Sequence, residues 1–292
     1  MAAPTIPNGE EQFFTTLYEG NGAGQRVGKF VPFTDNGTIA NSVIFNDADN
    51  AYLSRTNDAG DRTRVTISFW VKRGHLSGNI HYIFTSYDGS STNDGYIRFN
   101  ADNTISTRIG TPSSHLYTTN RTFEDTTKWY HIVLSVNTNE STADDRVKLY
   151  VDGDLITSYS SRTNPSGGDN TQFNYSSATF RVGSTTNGNY DYDGYIAEFN
   201  LVDGSALTPS TFGLTDTSTG RWIPKTLTGI TYGTNGHRLE FANSAGQTIG
   251  DDTSGNTNDF TVSALATTDI VTDSPTQNHA TFDPNFSSSS VI

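Results

Sequence analysis

Two tyrosines and two aspartates alternate in the segment NGNYDYDG, where they could bind a sugar. Tyr190 and Tyr192 each offer a flat ring that can stack on a pyranose face. Asp191 and Asp193 offer carboxylates that accept hydrogen bonds from hydroxyl groups. The alternative is that the tyrosines are ordinary β-protein residues with a half-buried ring. Because it pairs both residue types, this segment is the best candidate carbohydrate-binding site: Tyr190, Asp191, Tyr192 and Asp193.

A second kind of site is suggested by clusters of Asp and Asn, the oxygen donors that Ca²⁺ prefers. The richest cluster is IGDDTSGNTND, with candidate ligands Asp251, Asp252, Asn256 and Asp259. It does not fit an EF-hand, because the twelfth position from Asp251 is Val262 rather than Glu. Tight turns use the same residue types, so the turn interpretation stays open beside calcium as a possible cofactor.

Carboxylates suited to glycoside hydrolysis are not found together. That reaction uses two carboxyl groups flanking the scissile bond. Glu198 has no acidic residue two positions away, and Glu240 is equally isolated along the chain. Asp191 and Asp193 have the opposite strand parity to Glu198. We therefore expect no catalytic residues and no enzymatic activity.

The six histidines show no metal-ligand spacing. His131 shares a strand face with Trp129 and Val133, which predicts that it packs against the second layer of the fold rather than acting in catalysis.

Composition excludes several classes of function. The chain has 292 residues and a formal net charge of -13, so it repels phosphate backbones and we expect no nucleic acid partner. It contains no Cys, and neither disulfides nor thiolate metal sites can stabilise it. No apolar stretch approaches membrane-spanning length, and the first residues lack the pattern of a secretory signal. We therefore expect neither insertion into a membrane nor export.

Alternation with a period of two predicts an all-β fold. One strand places Tyr130, Ile132, Leu134 and Val136 on a single face, and the next does the same with Val147, Leu149 and Val151. Several further runs alternate in the same way and are separated by Gly, Asn, Asp and Ser. Strands at this spacing are typical of a two-sheet antiparallel sandwich, with these apolar faces buried.

Three regions follow from this pattern. Residues 1–40 form an N-terminal arm with an apolar cluster, residues 41–213 the sandwich, and residues 214–292 a mostly irregular C-terminal extension. Within the extension, Arg238–Ala242 and Asp259–Val262 are short strand candidates. We expect both to pair with an exposed edge of the sandwich, either in the same chain or on a neighbouring subunit.

The order of motifs resembles a known family. The chain contains SFWVKRG, KWYHIVLSVNTN, RVKLYVDGDLI and GYIAEFNLVDGSALTPSTFG, in that order. This set is similar to the laminin-G-like, concanavalin A-type lectin and glucanase domains. The resemblance implies a jelly-roll sandwich over residues 41–213.

The flanks resemble a narrower group. FNDADNAYLSRT before the sandwich, and TGRWIPKTLTG and IGDDTSGNTNDFTV after it, look like virion structural proteins of tailed bacteriophages. This likeness implies a non-enzymatic protein on the virion surface, made in the host cytoplasm, as a capsid decoration or a tail appendage. The expected partners are other virion proteins and further copies of the chain, most simply in a trimer. The alternative is a receptor-binding lectin that recognises host-surface polysaccharide.

Overall fold

A computed structural model describes residues 37–76, 78–89, 94–110, 115–185, 190–217, 219–242 and 246–277. The chain divides into two units, Met1–Asn36 and Gly37–Ile292, and the structure described here belongs to the second. The predicted arm, residues 1–40, lies outside the described residues except for 37–40. The end of the predicted extension, beyond residue 277, lies outside them too.

Strands dominate the structure. Their bounds are β1 Ser42–Phe45, β2 Tyr52–Thr56, β3 Arg64–Arg73, β4 His81–Tyr87, β5 Asp94–Phe99, β6 Thr104–Arg108, β7 Leu116–Thr122, β8 Tyr130–Asn137, β9 Val147–Val151, β10 Asp154–Leu155, β11 Tyr159–Arg162, β12 Thr179–Val182, β13 Gly194–Asp203, β14 Gly213–Thr215, β15 Trp222–Pro224, β16 His237–Leu239, β17 Thr261–Ser263 and β18 Ile270–Val271.

Helical structure in the part of the chain that the structure describes is limited to short 3₁₀ turns. In the described ranges these are Asp47–Asp49, Ala143–Asp145, Pro209–Thr211 and Thr267–Asp269. No helix in those ranges is both long and apolar enough to cross a membrane.

The strands form two large antiparallel sheets and one small pair. The first sheet has the order β10-β9-β8-β3-β13-β1-β18, and β16 also pairs with β13. The second has the order β11-β7-β6-β5-β4-β12-β2-β17, while β14 pairs with β15. The predicted all-β, two-sheet antiparallel sandwich is therefore confirmed.

The core lies between the two sheets. The alternating residues of β8 and β9 that were predicted to face it are all buried there: Tyr130, Ile132, Leu134, Val136, Val147, Leu149 and Val151. A cluster of phenylalanines fills the centre. The ring of Phe199 stacks on that of Phe69 at 5.4 Å and meets that of Phe84 edge-on at 5.7 Å. The period-two pattern therefore gave the correct register for this part of the sandwich.

Three segments of the C-terminal extension pair with the sandwich in the same chain. β16 pairs with Phe199–Leu201 of β13, next to the residues of β13 that pair with β1. β17 pairs with β2 at the edge of the second sheet, and β18 pairs with β1 at the edge of the first. Leu239 and Phe241 are buried in the core, while Arg238 and Glu240 are half-buried. The extension therefore contributes to both sheets.

His131 is buried, but not between the two sheets. Its neighbours Tyr130 and Ile132 occupy the main core, so the imidazole points to the opposite face of the first sheet. There it stacks on Trp70, with ring centroids 4.7 Å apart, and on Trp222 of the extension at 5.9 Å. The prediction that His131 packs against the second sheet is wrong, because a separate aromatic layer covers this face.

Candidate functional site

Three neighbouring strands of the first sheet end together at one rim of the sandwich. In β1, β13 and β3, the residues Phe45, Gly194 and Arg73 lie side by side in register. The chain segments that leave these strands must therefore emerge close together. They carry Asp47 after β1, His75 after β3 and the YDYD segment before β13.

A pocket of about 540 Å³ opens at this rim. It is lined by Asp47 and Asn50 from the turn after β1, by Asn79, Ile80 and His81 at the start of β4, and by Tyr190 and Asp191. Its volume is within the range of small-molecule sites. The lining is mostly amide, carboxylate and phenol groups, which can donate hydrogen bonds to sugar hydroxyls and accept them.

The inner wall of the pocket is held by hydrogen bonds. The Nδ1 of His81 donates to the main-chain carbonyl oxygen of Asp191 over 3.0 Å, since a carbonyl can only accept. Burial lowers the pKa of His81, so the neutral ring is favoured. The hydroxyl of Ser184 donates to the Asp191 carboxylate, and burial raises the pKa of that carboxyl group. This wall is therefore built of polar groups whose positions are set by hydrogen bonds.

Tyr190 is the exposed aromatic residue of the pocket. Its side chain is 56% exposed, and its backbone has a positive φ of 64°, an uncommon conformation for a residue other than glycine. Its carbonyl oxygen accepts a hydrogen bond from the backbone N–H of Tyr82 over 3.0 Å, and the two rings lie 6.2 Å apart. The backbone and a neighbouring ring thus fix the position of an open aromatic face.

Tyr192, predicted to bind sugar with Tyr190, has a different position. Its side chain is 1% exposed, its ring packs edge-on against Phe45 in the core, and its hydroxyl donates to the carbonyl of Lys72 over 2.7 Å. This corrects the prediction for Tyr192, because a ring inside the core has no face open to a ligand. The two tyrosines are two residues apart, but the chain turns between them.

Asp193 lies beside the pocket rather than in its lining. One of its carboxylate oxygens is 2.5 Å from Nδ1 of His75. The structure therefore brings Tyr190, Asp191 and Asp193 to one rim and adds Asp47, Asn50, Asn79 and His81. These additional residues come from two distant segments, one of them the FNDADNAYLSRT flank, and only the strand register shows that they meet at this rim.

The loop that was predicted to bind calcium folds as a hydrogen-bonded turn. The carboxylate of Asp252 accepts from the backbone N–H groups of Arg238, Ser254 and Asn258 at 2.8 to 2.9 Å. Burial by itself would raise the pKa of Asp252, but these donors outweigh it and leave the pKa below its ordinary value.

The other predicted ligands of this loop make similar contacts. The carboxylate of Asp251 accepts from Thr248, and that of Asp259 accepts from the backbone of Asp252. Asn256 donates its side-chain amide to the carbonyls of Gly233 and Gly236. A calcium ion would have to displace several of these donors, and its binding here stays a prediction.

Two glutamates that are isolated in the sequence meet in the fold. Arg238 on β16 lies 2.6 Å from the carboxylate of Glu198 and 2.8 Å from that of Glu240. Glu198 is positioned by a bulge in β13, where its φ is 49°. Burial raises the pKa of Glu198, and Arg238 opposes that shift. The guanidinium therefore pairs with both carboxylates and ties the extension to the sheet.

Comparison with known proteins places this fold in a family. Residues 45–211, more than half of the chain, match the model of a laminin G family in the concanavalin A-like lectin/glucanases superfamily. The chain belongs to this family, which confirms that part of the resemblance seen in the sequence. A search of curated proteins finds no match.

Several solved structures are similar in fold. A heptameric SAP-like pentraxin from Limulus polyphemus has 14% identity and a TM-score of 0.43, over 59% of this chain and 80% of that chain. Domain 4 of the arabinanase AbnA from Geobacillus stearothermophilus, in complex with arabinotriose, has 20% identity and a TM-score of 0.41, over 60% and 76%. Domains LG4-5 of mouse laminin alpha1 have 11% identity and a TM-score of 0.39, over 68% and 48%.

Proposed function

We propose that this chain is a non-enzymatic, glycan-binding jelly roll displayed on the surface of a tailed-phage virion. The observation that carries the glycan proposal is the rim pocket, where the open ring of Tyr190 lies beside Asn50, Asn79 and Asp191. A flat ring suits the apolar face of a sugar, and amides and carboxylates suit its hydroxyls.

The proposal that the protein is not an enzyme rests on the state of its carboxylates. Glycosidases need one carboxyl group to protonate the leaving group while a second acts as nucleophile or base. Glu198 and Glu240 are near each other, but Arg238 pairs with both carboxylates, at 2.6 and 2.8 Å. This arrangement is typical of a structural ion pair.

Glycosidase activity is tested directly with polymers. The purified chain should release no reducing ends from laminarin, lichenan or agarose. Turnover that is abolished by Glu198→Gln would overturn this part of the proposal, and a Glu240→Gln variant would then show whether the second carboxylate takes part.

The virion role is supported by the resemblance of the flanks and by how they fold. The upstream flank contains β2 and the downstream flank contains β17, and these two strands pair, with Leu53 opposite Val262. Because both flanks contribute strands to the same sheet, they form one folded unit with the jelly roll. We propose that this unit assembles as a homo-oligomer, most simply a trimer, and docks on other virion proteins through residues 1–40 or the C-terminal end.

A receptor-binding lectin for host-surface polysaccharide is the second candidate, and the same pocket favours it. The position of the protein on the particle separates a decoration protein from a receptor-binding protein. Immunogold electron microscopy of particles from cells that carry the gene should label the capsid for a decoration protein and the tail tip for a receptor-binding protein. Absence of label and of the chain's peptides from purified particles would contradict both virion roles.

Glycan binding itself is tested with an array that includes bacterial surface polysaccharides. We expect the labelled protein to bind a subset of the array. Failure to bind any glycan, with the protein folded and the array validated by a control lectin, would contradict the glycan proposal.

A further inference from the structure

We infer that Asp47, His75 and Asp193 form a binding site for a divalent transition-metal ion, best matched by Zn²⁺. This site adjoins the proposed glycan pocket, because Asp47 also lines that pocket. It goes beyond the proposed function, since its ligands and its test do not require a sugar.

The strand register brings the three side chains together. Phe45, Gly194 and Arg73 lie side by side on β1, β13 and β3. Asp47 is two residues beyond Phe45, Asp193 is one residue before Gly194, and His75 is two residues beyond Arg73. One potential ligand atom from each of the three lies within 4.8 Å of the others. The proximity therefore follows from ordered strands and not from a single loop.

The distances suit a small ion. Zinc ligands lie about 2.0–2.2 Å from the metal, which places tetrahedral ligand atoms about 3.4 Å apart. Closing a gap of up to 4.8 Å needs a total shift of about 1.4 Å by ligand side chains. His75 is exposed and Asp47 is partly exposed, so both side chains can move. The His75 and Asp193 atoms, 2.5 Å apart, would separate slightly to bind the same ion.

Asp47 and Gly74 add independent support. The carboxylate of Asp47 forms no hydrogen bond or ion pair with any other residue that the structure describes. A Cβ atom at position 74 would collide with Oδ1 of Asp193. The glycine before His75 therefore leaves the space in which the Asp193 carboxylate approaches the imidazole.

The donor set selects the class of ion. Calcium takes six to eight oxygen ligands, whereas imidazole is a common ligand of zinc, copper and nickel. Two carboxylates and one neutral imidazole neutralise a divalent charge and leave a fourth position for water or a ligand oxygen. Zinc should therefore bind much more tightly than calcium.

Isothermal titration calorimetry of tag-free, chelator-treated full-length protein at pH 7.5 tests the site. We expect one Zn²⁺ per chain, with affinity reduced at least tenfold by Asp47→Asn and by His75→Gln. The matched control is Asp49→Asn, which removes the same charge from the same turn and should leave zinc affinity within twofold. Circular dichroism of the zinc-free variants checks their fold, and zinc-edge X-ray absorption should show one imidazole nitrogen among oxygen ligands.

Several results would overturn the assignment. These are no zinc binding by the wild-type protein, zinc affinity unchanged in both Asp47→Asn and His75→Gln, or an equal loss in Asp49→Asn. Calcium binding as tight as zinc, and retained in His75→Gln, would overturn the class of ion. Since no sugar is present, a failure here leaves the glycan proposal unaffected, and loss of glycan binding leaves this result unaffected.

Discussion

The buried imidazole of His131 makes the stability of this protein sensitive to mild acid. Trp222 donates its Nε1–H to Nδ1 of His131 over 2.9 Å, and because indole nitrogen can only donate, Nδ1 must be the acceptor. Nε2 then carries the proton and donates to the hydroxyl of Ser68 at 2.9 Å. Protonating Nδ1 would break the contact with Trp222 and bury a charge.

The size of the effect follows from the pKa. Burial lowers the pKa of His131 to about 3, against 6.5 for an exposed histidine. Below pH 6.5 the histidine of the unfolded chain is protonated, whereas that of the folded chain stays neutral. The contribution of His131 to the free energy of unfolding is therefore fully present well above pH 6.5 and is lost as the pH falls. At pH 5 this ring alone should cost about 2 kcal/mol of unfolding free energy. His237, whose pKa burial also lowers to about 3, should cost a similar amount.

Urea unfolding of the wild type and His131→Gln at pH 7.5, 6.5, 5.5 and 5.0 measures this contribution. Burial raises the pKa of Asp191, Asp203 and Glu198, which act in the opposite direction, but they are common to both proteins and cancel in the difference. We expect the variant to be less stable at pH 7.5 and the gap to narrow by about 2 kcal/mol at pH 5. A gap that stays constant across this range would refute the reasoning.

Three further perturbations test the architecture, each by urea or thermal unfolding at pH 7.5. Phe199→Ala removes the ring between Phe69 and Phe84 and should cost about 3–5 kcal/mol; a loss below 1 kcal/mol would contradict a packed centre. Arg238→Met leaves Glu198 buried without its cation and should cost about 3 kcal/mol, with much of the loss recovered in the Arg238→Met/Glu198→Gln double variant; a double variant less stable than the single would contradict this. Deleting residues 215–292 removes β16, β17 and β18 from the two sheets and should lower the melting temperature by more than 10 °C; an unchanged melting temperature would show that the extension does not stabilise the sandwich.

Much of the sandwich could be predicted because its strands alternate cleanly. In β8 and β9, period two determines which residues face the core, and the structure agrees. The same rule failed for His131, because alternation indicates which residues share a face but not what covers that face. The covering residue, Trp222, lies 91 positions away and forms a strand too short for a periodic signal. The division into arm, jelly roll and extension stays a prediction.

The site could be predicted only in part, for a related reason. The residue types around Tyr190 indicated a ligand site, but its walls come from the turn at Asp47 and from Asn79 and His81, which only the strand order brings near. Tyr192 was wrongly assigned because the orientation of a side chain in a loop before a strand has no periodicity to reveal it. Glu198 and Glu240 look isolated along the chain. In the fold, the bulge in β13 and the pairing of β16 with β13 bring both to Arg238.

The proposed glycan site is tested most directly by titrating a glycan found on the array into the wild type, Tyr190→Ala and Tyr175→Ala. Tyr175 is a matched control, since it is 37% exposed and does not line the pocket. We expect Tyr190→Ala to weaken binding at least tenfold, about 1.4 kcal/mol, and Tyr175→Ala to leave the affinity unchanged. Equal affinity of wild type and Tyr190→Ala, with both proteins folded, would contradict the assignment of this pocket as the glycan site.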